Sequence, residues 1–548
     1  MDSQLNFIQN NILVLGSGAR EHAIVDSLLL SSKIHSIYVF PGNDGMLTSR
    51  VFRANIEAKP LTDPFDINNI VNFCLDKTNS IKLVIAGNEK YLVNGICDRI
   101  EKECHYTIKC LGPSKLASQI EGSKLFSKTF MKNTNIPSPN YLSFDDYEYL
   151  ISYLFKLNQQ KTQDNLVPDS SKYVIKVDGL ADGKGVFLPD NYDDAQEICK
   201  DIFIKKKFGS AGNSIILEER LYGQEVSIMA FCNGKDIELM PQSQDYKKLH
   251  DNNLGPNTGG MGAHAPVHTL TDDELQYVKD HMLKVVRDLG YKGILYAGLI
   301  KTQAGVYFLE FNCRFGDPEA QVLLNLLDSD LYDIFMDCID GNQFNIKWKP
   351  GFCSNVVLSH DDYPYKKSKR LLRIDISEFE SQNQSNNLKI YWANVIKKNN
   401  IYYTSGGRVA SLVSYSDNLS KSLFEIYNHI YKIKYDSLYY RRDIGFEYIK
   451  NICNIYNNKS KTVKIAILGS SKGTSIQLLI DKINVGECNA RIEVIISNKK
   501  NAYILERAQN HDIDAIYLHY SKNKYKTREE YDTHIVNILK LYNVDCVF

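Results

Sequence analysis

The sequence predicts a multidomain protein of α/β and α+β class, and three observations carry that prediction. Short apolar runs alternate with helical patterns through the first hundred residues. Later apolar runs follow each other at the spacing of an antiparallel sheet, and near residue 464 the alternating rhythm starts again. With 548 residues the chain is too long for one core; at about 150 residues per domain, three or four domains are expected.

The elements follow in order. "NILVLG" is a buried strand, a Gly-rich turn comes next, and a helix is expected near residues 21–30. "IYVF" and "LVIAG" are further strands of a parallel sheet, with "PGNDG" and "AGNE" just beyond their ends, where such sheets bind ligands. "LGPSK" opens a second unit, and the polar run 158–172 reads as a surface loop. "YVIKVDG", "SIILEE", "EVSIMAF", "ILYAGLI" and "VYFLEFN" then read as antiparallel strands with helices on one side. A third region contains the polar run "SEFESQNQSNNLK", and "CNIYNNKSKTVK" reads as a linker. "KIAILG", "IQLLIDKI", "IEVIIS" and "VDCVF" form a last strand–helix–strand segment. The expected domains are residues 10–112, 113–340, 341–452 and 462–548, with 453–461 as linker.

Composition excludes several classes. Lys plus Arg and Asp plus Glu both number 65, so no net charge argues for nucleic acid or an anionic membrane as partner. The first residues lack a basic, apolar signal pattern, and no apolar run approaches the length of a membrane span. The 12 cysteines are scattered without a CxxC pair, as in a cytoplasmic protein with reduced thiols.

Chemistry concentrates in a few stretches. In "LEFNCRFGDPEAQ", Glu310, Asn312, Arg314, Asp317 and Glu319 lie within ten residues, a density that is unfavourable unless a cation or charged ligand shares the site. Glu310 and Asn312 are two apart on a strand, so both face one way and can offer oxygens to a divalent ion on nucleotide phosphates. Arg314 suits a phosphoryl group in transfer; a surface salt-bridge cluster is the plainer alternative. In "VIKVDGLADGKGV", Lys176 can reach phosphates and Gly179, Gly183 and Gly185 permit a closing loop around Lys184; a surface hairpin with solvated lysines has the same composition. In "IILEERLYGQE", Glu218 could accept from an adenine amine and Glu225 from ribose hydroxyls, or the stretch is a solvated acidic turn. "QSQDYKKLHDNNLGPNTGGMGAHAP" carries Asp245, Lys247 and a glycine cluster suited to close approach of a small ligand, or to a disordered loop. "GSGAREH" places glycines and Arg20 at a helix start, which fits a phosphate monoester or an ordinary tight turn. It lacks a third glycine and an acidic end to the second strand, so a nicotinamide dinucleotide is disfavoured.

From about residue 10 to 450 these motifs, with "LGPSKLASQIEGSKLFSK", "LYAGL", "SGGRV" and "YRRDIG", resemble in order the phosphoribosylamine–glycine ligase family of the ATP-grasp superfamily. The resemblance implies an N-terminal parallel α/β domain, an ATP-grasp domain and a small C-terminal ligase domain. It implies a reaction in which ATP phosphorylates glycine and 5-phosphoribosylamine attacks the acyl phosphate. By resemblance, Glu310 and Asn312 hold Mg²⁺ or Mn²⁺; Lys124, Lys176, Gly183, Lys184 and Gly185 contact ATP phosphates; Glu218, Glu219 and Glu225 hold adenosine. Arg314, Asp317 and Asp245 act catalytically. Asn257, Thr258, Gly259, Gly260 and Gly316 serve glycine, and Gly18, Arg20, Asn43, Gly87 and Glu89 the ribosylamine phosphate and sugar. The chain departs from the family pattern at Ala19, Asn88, Tyr91, Asp182, Lys248 and the Tyr363-Pro364-Tyr365 region, and at no proposed ATP or metal ligand.

Residues 462–548 resemble the first half of phosphoribosylglycinamide formyltransferase, a partial Rossmann-like α/β segment, with Ser471 and Ser475 replacing an expected glycine and asparagine. That family's catalytic asparagine, histidine and aspartate fall beyond "VDCVF", so no formyl transfer is expected of the chain as given. An uncovered half sheet predicts self-association or a partner contact through residues 462–548.

Overall fold

The computed structural model describes residues 10–56, 67–159, 172–181, 183–365, 370–382, 387–450, 462–470, 472–486, 488–521 and 523–548. The expected linker 453–461, most of the polar run 158–172, Asp182 and Ser471 lie outside them. The chain divides into two compact units, Met1–Ile444 and Gly445–Phe548.

The first unit opens with a five-stranded sheet of β1 (Asn10–Gly16), β2 (Ile34–Pro41), β3 (Val51–Arg53), β4 (Ile81–Ala86) and β5 (Lys109–Leu111), ordered β3-β2-β1-β4-β5. All pairings are parallel. Strands β3 and β5 are short and were not expected from the sequence. Strand order reverses beside β1, so the crevice beyond the carboxyl ends of β1, β2 and β4 is where this topology binds ligands. Helix α1 (Ala19–Leu28) starts there, with Gly18 as its N-cap.

Two four-stranded antiparallel sheets follow. One joins Tyr141–Phe144, Ile215–Glu219, Tyr173–Val177 and Val186–Phe187; the other joins Ile237–Leu239, Gln224–Asn233, Lys292–Thr302 and Gly305–Asn312. The first has its own core around Phe144, Leu150, Ile175, Cys199 and Leu217. The second belongs to a cluster running from Ile12 and Val14 through Met229, Phe231 and Leu323 to Val413, which binds most of the unit into one body.

The region expected as a separate domain from residue 341 is not closed at that boundary. Its sheet contains Phe352–His360, Arg408–Ser416 and Leu388–Trp392, but also Gln244–Asp245 and Gly262–Ala265 from the preceding region. The "GPNTGG" loop therefore leads directly into a strand of the third region's sheet.

The second unit has the parallel order Asp514–Tyr517, Ala490–Ser497, Val463–Leu468, Cys546–Val547, as its alternating pattern predicts. Apolar clusters line both faces, one around Ile465, Ile480 and Ile495, the other around Val494, Tyr525 and Tyr531. Among the described residues, no helix is long and apolar enough to cross a membrane.

Candidate active site

The strand Gly305–Asn312 delivers Glu310 opposite Gly298 and Asn312 opposite Tyr296. Neither residue is fully buried. Burial alone would raise the Glu310 carboxyl, but the charges of Lys247, Lys176, Lys124 and Arg314 outweigh it and hold the group below its ordinary value. Among the described residues, no side chain donates a hydrogen bond to it. An ionised carboxylate amid cations and without a committed donor fits a divalent ion, to which Asn312 could add a neutral oxygen. The donor set, all oxygen, suits a hard cation.

Three lysines approach, Lys124 and Lys128 from one helix and Lys176 from the other antiparallel sheet. Lys124 starts the helix Lys124–Asn133, capped by Ser123, and its Nζ donates to the Val177 carbonyl at 2.8 Å. Burial lowers its pKa while Glu310 acts to raise it. Lys176 donates to Glu218 Oε1 at 2.8 Å and to the Leu309 carbonyl at 3.5 Å, linking the two sheets. Lys128 pairs with Glu218 Oε2 at 3.0 Å, and burial pulls it down to about 8 despite Glu218. Glu218 is 1% exposed with both oxygens on lysine ammonium groups, so its side chain is not presented to an adenine amine in this arrangement. Its carboxylate instead positions Lys176. Glu219 turns outward, accepting from Asn140 at 2.9 Å, and exposed Glu225 pairs with Lys247 at 2.8 Å. Gly183 has φ +73° with no described residue close to where a Cβ would lie, Gly185 packs beside Ala181, and Lys184 reaches the Pro364 carbonyl at 3.1 Å.

Arg314 is a clamp. Its guanidinium meets Glu89 at 3.2 Å, Glu121 at 2.7 Å and Asn312 Oδ1 at 3.4 Å. Burial works against the Glu89 charge, but Arg314 and Arg20 hold its carboxyl below the usual range; burial wins at Glu121 and raises it. Glu89 begins the helix Glu89–Val93 after β4, so this contact ties the parallel sheet to the segment after the strand Gly305–Asn312. Arg20 makes a second tie. It is 7% exposed, bound to Glu21 Oε1 at 2.6 Å and to the Phe315 carbonyl at 3.2 Å. The Gly18 N–H is taken by Glu21 Oε2 at 2.7 Å. A Cβ on Gly87 would lie 2.5 Å from Glu21 Cγ, so this glycine makes room for that carboxylate. Asn43 spans regions too, donating to the Ser17 and Trp392 carbonyls at 2.8 and 3.0 Å. These side chains, read from the sequence as phosphate and sugar contacts, thus have internal partners that shape the crevice walls.

The last group surrounds Asp317. Its Oδ2 accepts from Arg408 at 2.9 Å and its Oδ1 from Gln321 at 2.8 Å. Burial opposes its charge, and Arg408 with Arg20 lowers it below the ordinary carboxylate range. Arg408 also donates to the carbonyls of Gly259 (2.5 Å), Gly260 (3.3 Å) and Asp317 (3.0 Å). Thr258 Oγ1 donates to the Lys247 carbonyl at 2.8 Å and accepts from Gly260 N at 3.0 Å; Asn257 pairs with Lys248 across a short hairpin. Gly260 has φ +104° and a Cβ there would strike Pro318 Cδ at 2.3 Å, so only glycine fits. Gly316 is equally tight against Glu319. Buried Glu319 accepts from Ser227 at 3.1 Å. Among the described residues Asp245 Oδ1, a buried atom, has no hydrogen-bond partner, and burial with the nearby Glu319 charge pushes its carboxyl well up.

Sequence reasoning left Glu121, Lys128 and Arg408 without roles, although "QIEGSK" and "SGGRV" contain them; isolated charges in those runs carry no local sign of their partners. The motifs it did assign converge on one region of the first unit.

Three models of phosphoribosylglycinamide synthetase match in succession: the N domain at residues 10–121, the ATP-grasp (A) domain at 122–320 and the C domain at 353–447. A formyl transferase model matches residues 463–548. A phosphoribosylamine–glycine ligase of Caldanaerobacter subterraneus subsp. tengcongensis is 36% identical over 447 residues, 80% of this chain and 100% of that protein. The bifunctional purine biosynthetic protein purD of Dictyostelium discoideum is 36% identical over 473 residues, and a trifunctional purine biosynthetic protein adenosine-3 of Chironomus tentans 36% identical over 445. The match spans 55% and 31% of those two longer proteins. The crystal structure of phosphoribosylamine–glycine ligase from Thermotoga maritima superimposes with a TM-score of 0.64 at 26% identity, covering 79% of this chain and 100% of that one.

Proposed function

Because the chain belongs to the phosphoribosylamine–glycine ligase family, we propose that it joins glycine to 5-phosphoribosylamine through glycyl phosphate, giving glycinamide ribonucleotide, ADP and phosphate. The observation that carries this reading is Glu310, a carboxylate held ionised by Lys247, Lys176, Lys124 and Arg314.

A carboxylate is a poor electrophile, and transfer of a phosphoryl group to it supplies a leaving group; the protein's share is positioning and charge neutralisation. Glu310 and Asn312 would hold a divalent ion, Mg²⁺ or Mn²⁺, which neutralises phosphate charge when bound. Lys124 and Lys176 neutralise the remaining phosphate oxygens, and Glu218 with Lys128 fixes where Lys176 points. The Gly183–Gly185 segment with Lys184 covers the nucleotide, while the backbone near Glu218 and Glu219, with Glu225, borders adenosine. Arg314 stabilises charge on the transferring group. Asp317 and Arg408 hold the loop Asn257, Thr258, Gly259, Gly260 against Gly316, where glycine is bound. The crevice beside Gly18, Asn43, Gly87 and Glu89 takes the sugar phosphate, with Arg20 adding positive potential. The amine nitrogen attacks the acyl carbon, phosphate leaves, and the Asp245 carboxylate, whose Oδ1 has no hydrogen-bond partner among the described residues, takes the proton shed by nitrogen.

Glu310→Gln tests the reading. ADP release that depends on both glycine and phosphoribosylamine should fall at least about 10²-fold, the range for loss of one preorganised electrostatic group. Release unchanged by that substitution, or independent of either co-substrate, refutes it. A second reading, a bifunctional ligase and formyltransferase, is favoured by the match of residues 463–548 to a formyl transferase model. An assay with a folate formyl donor and the ligase product tests it.

A further inference from the structure

We propose that His360, Asp361 and Asp362 form a binding site for a divalent transition-metal ion, separate from the Glu310 centre. His360 ends the strand Phe352–His360, and its backbone is fixed by donation to the Gly407 carbonyl at 2.9 Å. Its ring is fully buried against Tyr435, yet among the described residues neither Nδ1 nor Nε2 has a hydrogen-bond partner. Buried polar groups are ordinarily satisfied, and an orphaned imidazole calls for an occupant. One nitrogen of that ring and one oxygen each from Asp361 and Asp362 all lie within 4.8 Å of one another. Asp362 Oδ1 is also buried and unpartnered. An orphaned imidazole and an orphaned carboxylate oxygen thus belong to the same three-residue cluster.

The two carboxylates already attract a cation. Arg370 Nη2 lies 2.9 Å from Asp361 Oδ1 and 3.4 Å from Asp362 Oδ2, on the exposed side, since the Arg370 side chain is half exposed. A metal ion would add to the pair from the imidazole side and weaken the guanidinium contact. One imidazole with two carboxylates is a mixed nitrogen and oxygen set. It suits zinc or manganese better than magnesium, which prefers oxygen alone. Three protein donors leave coordination positions for water.

The position gives the ion something to do. The turn that follows contacts two substrate-facing loops: Tyr363 OH accepts from Gly259 N at 2.8 Å, and the Pro364 carbonyl accepts from Lys184 Nζ at 3.1 Å. An ion on residues 360–362 would stiffen this turn and, through it, the loops that carry Gly259 and Lys184.

Titration of the full chain with Co²⁺ in the absence of nucleotide, followed by visible absorption and by displacement with Zn²⁺, tests the site. One Co²⁺ per chain should bind with a spectrum free of thiolate charge transfer. Asp361→Asn with Asp362→Asn should weaken binding at least tenfold with the fold intact by circular dichroism. His360→Gln should abolish it, Arg370→Ala should tighten it, and Glu310→Gln should leave it unchanged. The proposal is overturned if no Co²⁺ binds, if the Asp361/Asp362 variant binds as tightly as the parent, if thiolate bands appear, or if Glu310→Gln removes the signal.

Discussion

Replacing Arg408 by alanine separates assembly of the site from contact with nucleotide. The guanidinium reaches four oxygens on two segments: the Gly259, Gly260 and Asp317 carbonyls and Asp317 Oδ2. The Arg408 and Asp317 side chains are 21% and 14% exposed, so the pair is largely withdrawn from solvent. Removing one partner of a buried pair typically costs about 3–5 kcal/mol. Asp317 would keep its bond from Gln321 at 2.8 Å and the field of Arg20, and water can reach part of the vacated space. An effect of about 2–3 kcal/mol is therefore expected. At about 1.4 kcal/mol per factor of ten, kcat/KM for glycine should fall roughly 30- to 150-fold. Initial rates of ADP formation at varied glycine, with urea unfolding in parallel, measure this. Arg408→Lys should recover only part of the loss, because one ammonium cannot span the same oxygens as a planar fork. A folded Arg408→Ala enzyme with kcat/KM within threefold of the parent would refute the argument.

Lys176→Met and Lys128→Met should differ although both lysines bind Glu218: the first should raise KM for ATP and lower kcat by about 10²-fold, while the second, which leaves a buried carboxylate short of a partner, should mainly lower stability by about 3 kcal/mol; nucleotide-dependent kinetics and denaturant melts distinguish them. His22 accepts from Trp392 N–H at 2.9 Å, and burial holds its pKa at about 4 against an ordinary 6.5. Between those values the unfolded chain binds the proton and the folded chain does not, so stability is lost as pH falls through that window; in denaturant melts at pH 7 and pH 5, the parent should lose more stability than His22→Gln. Because Gly445–Phe548 forms a compact unit by itself, a chain ending at residue 450 should keep glycine-dependent ADP release, measured against the full chain, while its sedimentation behaviour reports any self-association through residues 462–548.

What the sequence disclosed was largely what depends on near neighbours. The alternating strands gave β1, β2 and β4 within a few residues, and the two-residue spacing of Glu310 and Asn312 put both on one strand. Strands β3 and β5, three residues each, are too short for a periodic signal. Gly262–Ala265 pairs with Phe352–His360 across the expected boundary at residue 341, and no local pattern encodes a pairing at that separation.

The same limit explains the site. Glu218 looks like a free acceptor in "IILEERLYGQE", but burial of a carboxylate requires counter-charge, and Lys176 and Lys128 supply it from two other elements. Arg20 and Asn43 look like phosphate ligands in glycine-rich turns, yet their partners, the Phe315 and Trp392 carbonyls, lie hundreds of residues away in sequence. In each case the motif singles out a residue, while long-range partners decide which of its atoms remain for a ligand. Glu310 is the contrasting case: its neighbours Lys247, Lys176, Lys124 and Arg314 supply charge without a hydrogen bond to its carboxylate among the described residues. That leaves its oxygens available, which favours this residue over the better-connected Glu89, Glu121 or Glu218 as the proposed anchor for a metal and a triphosphate.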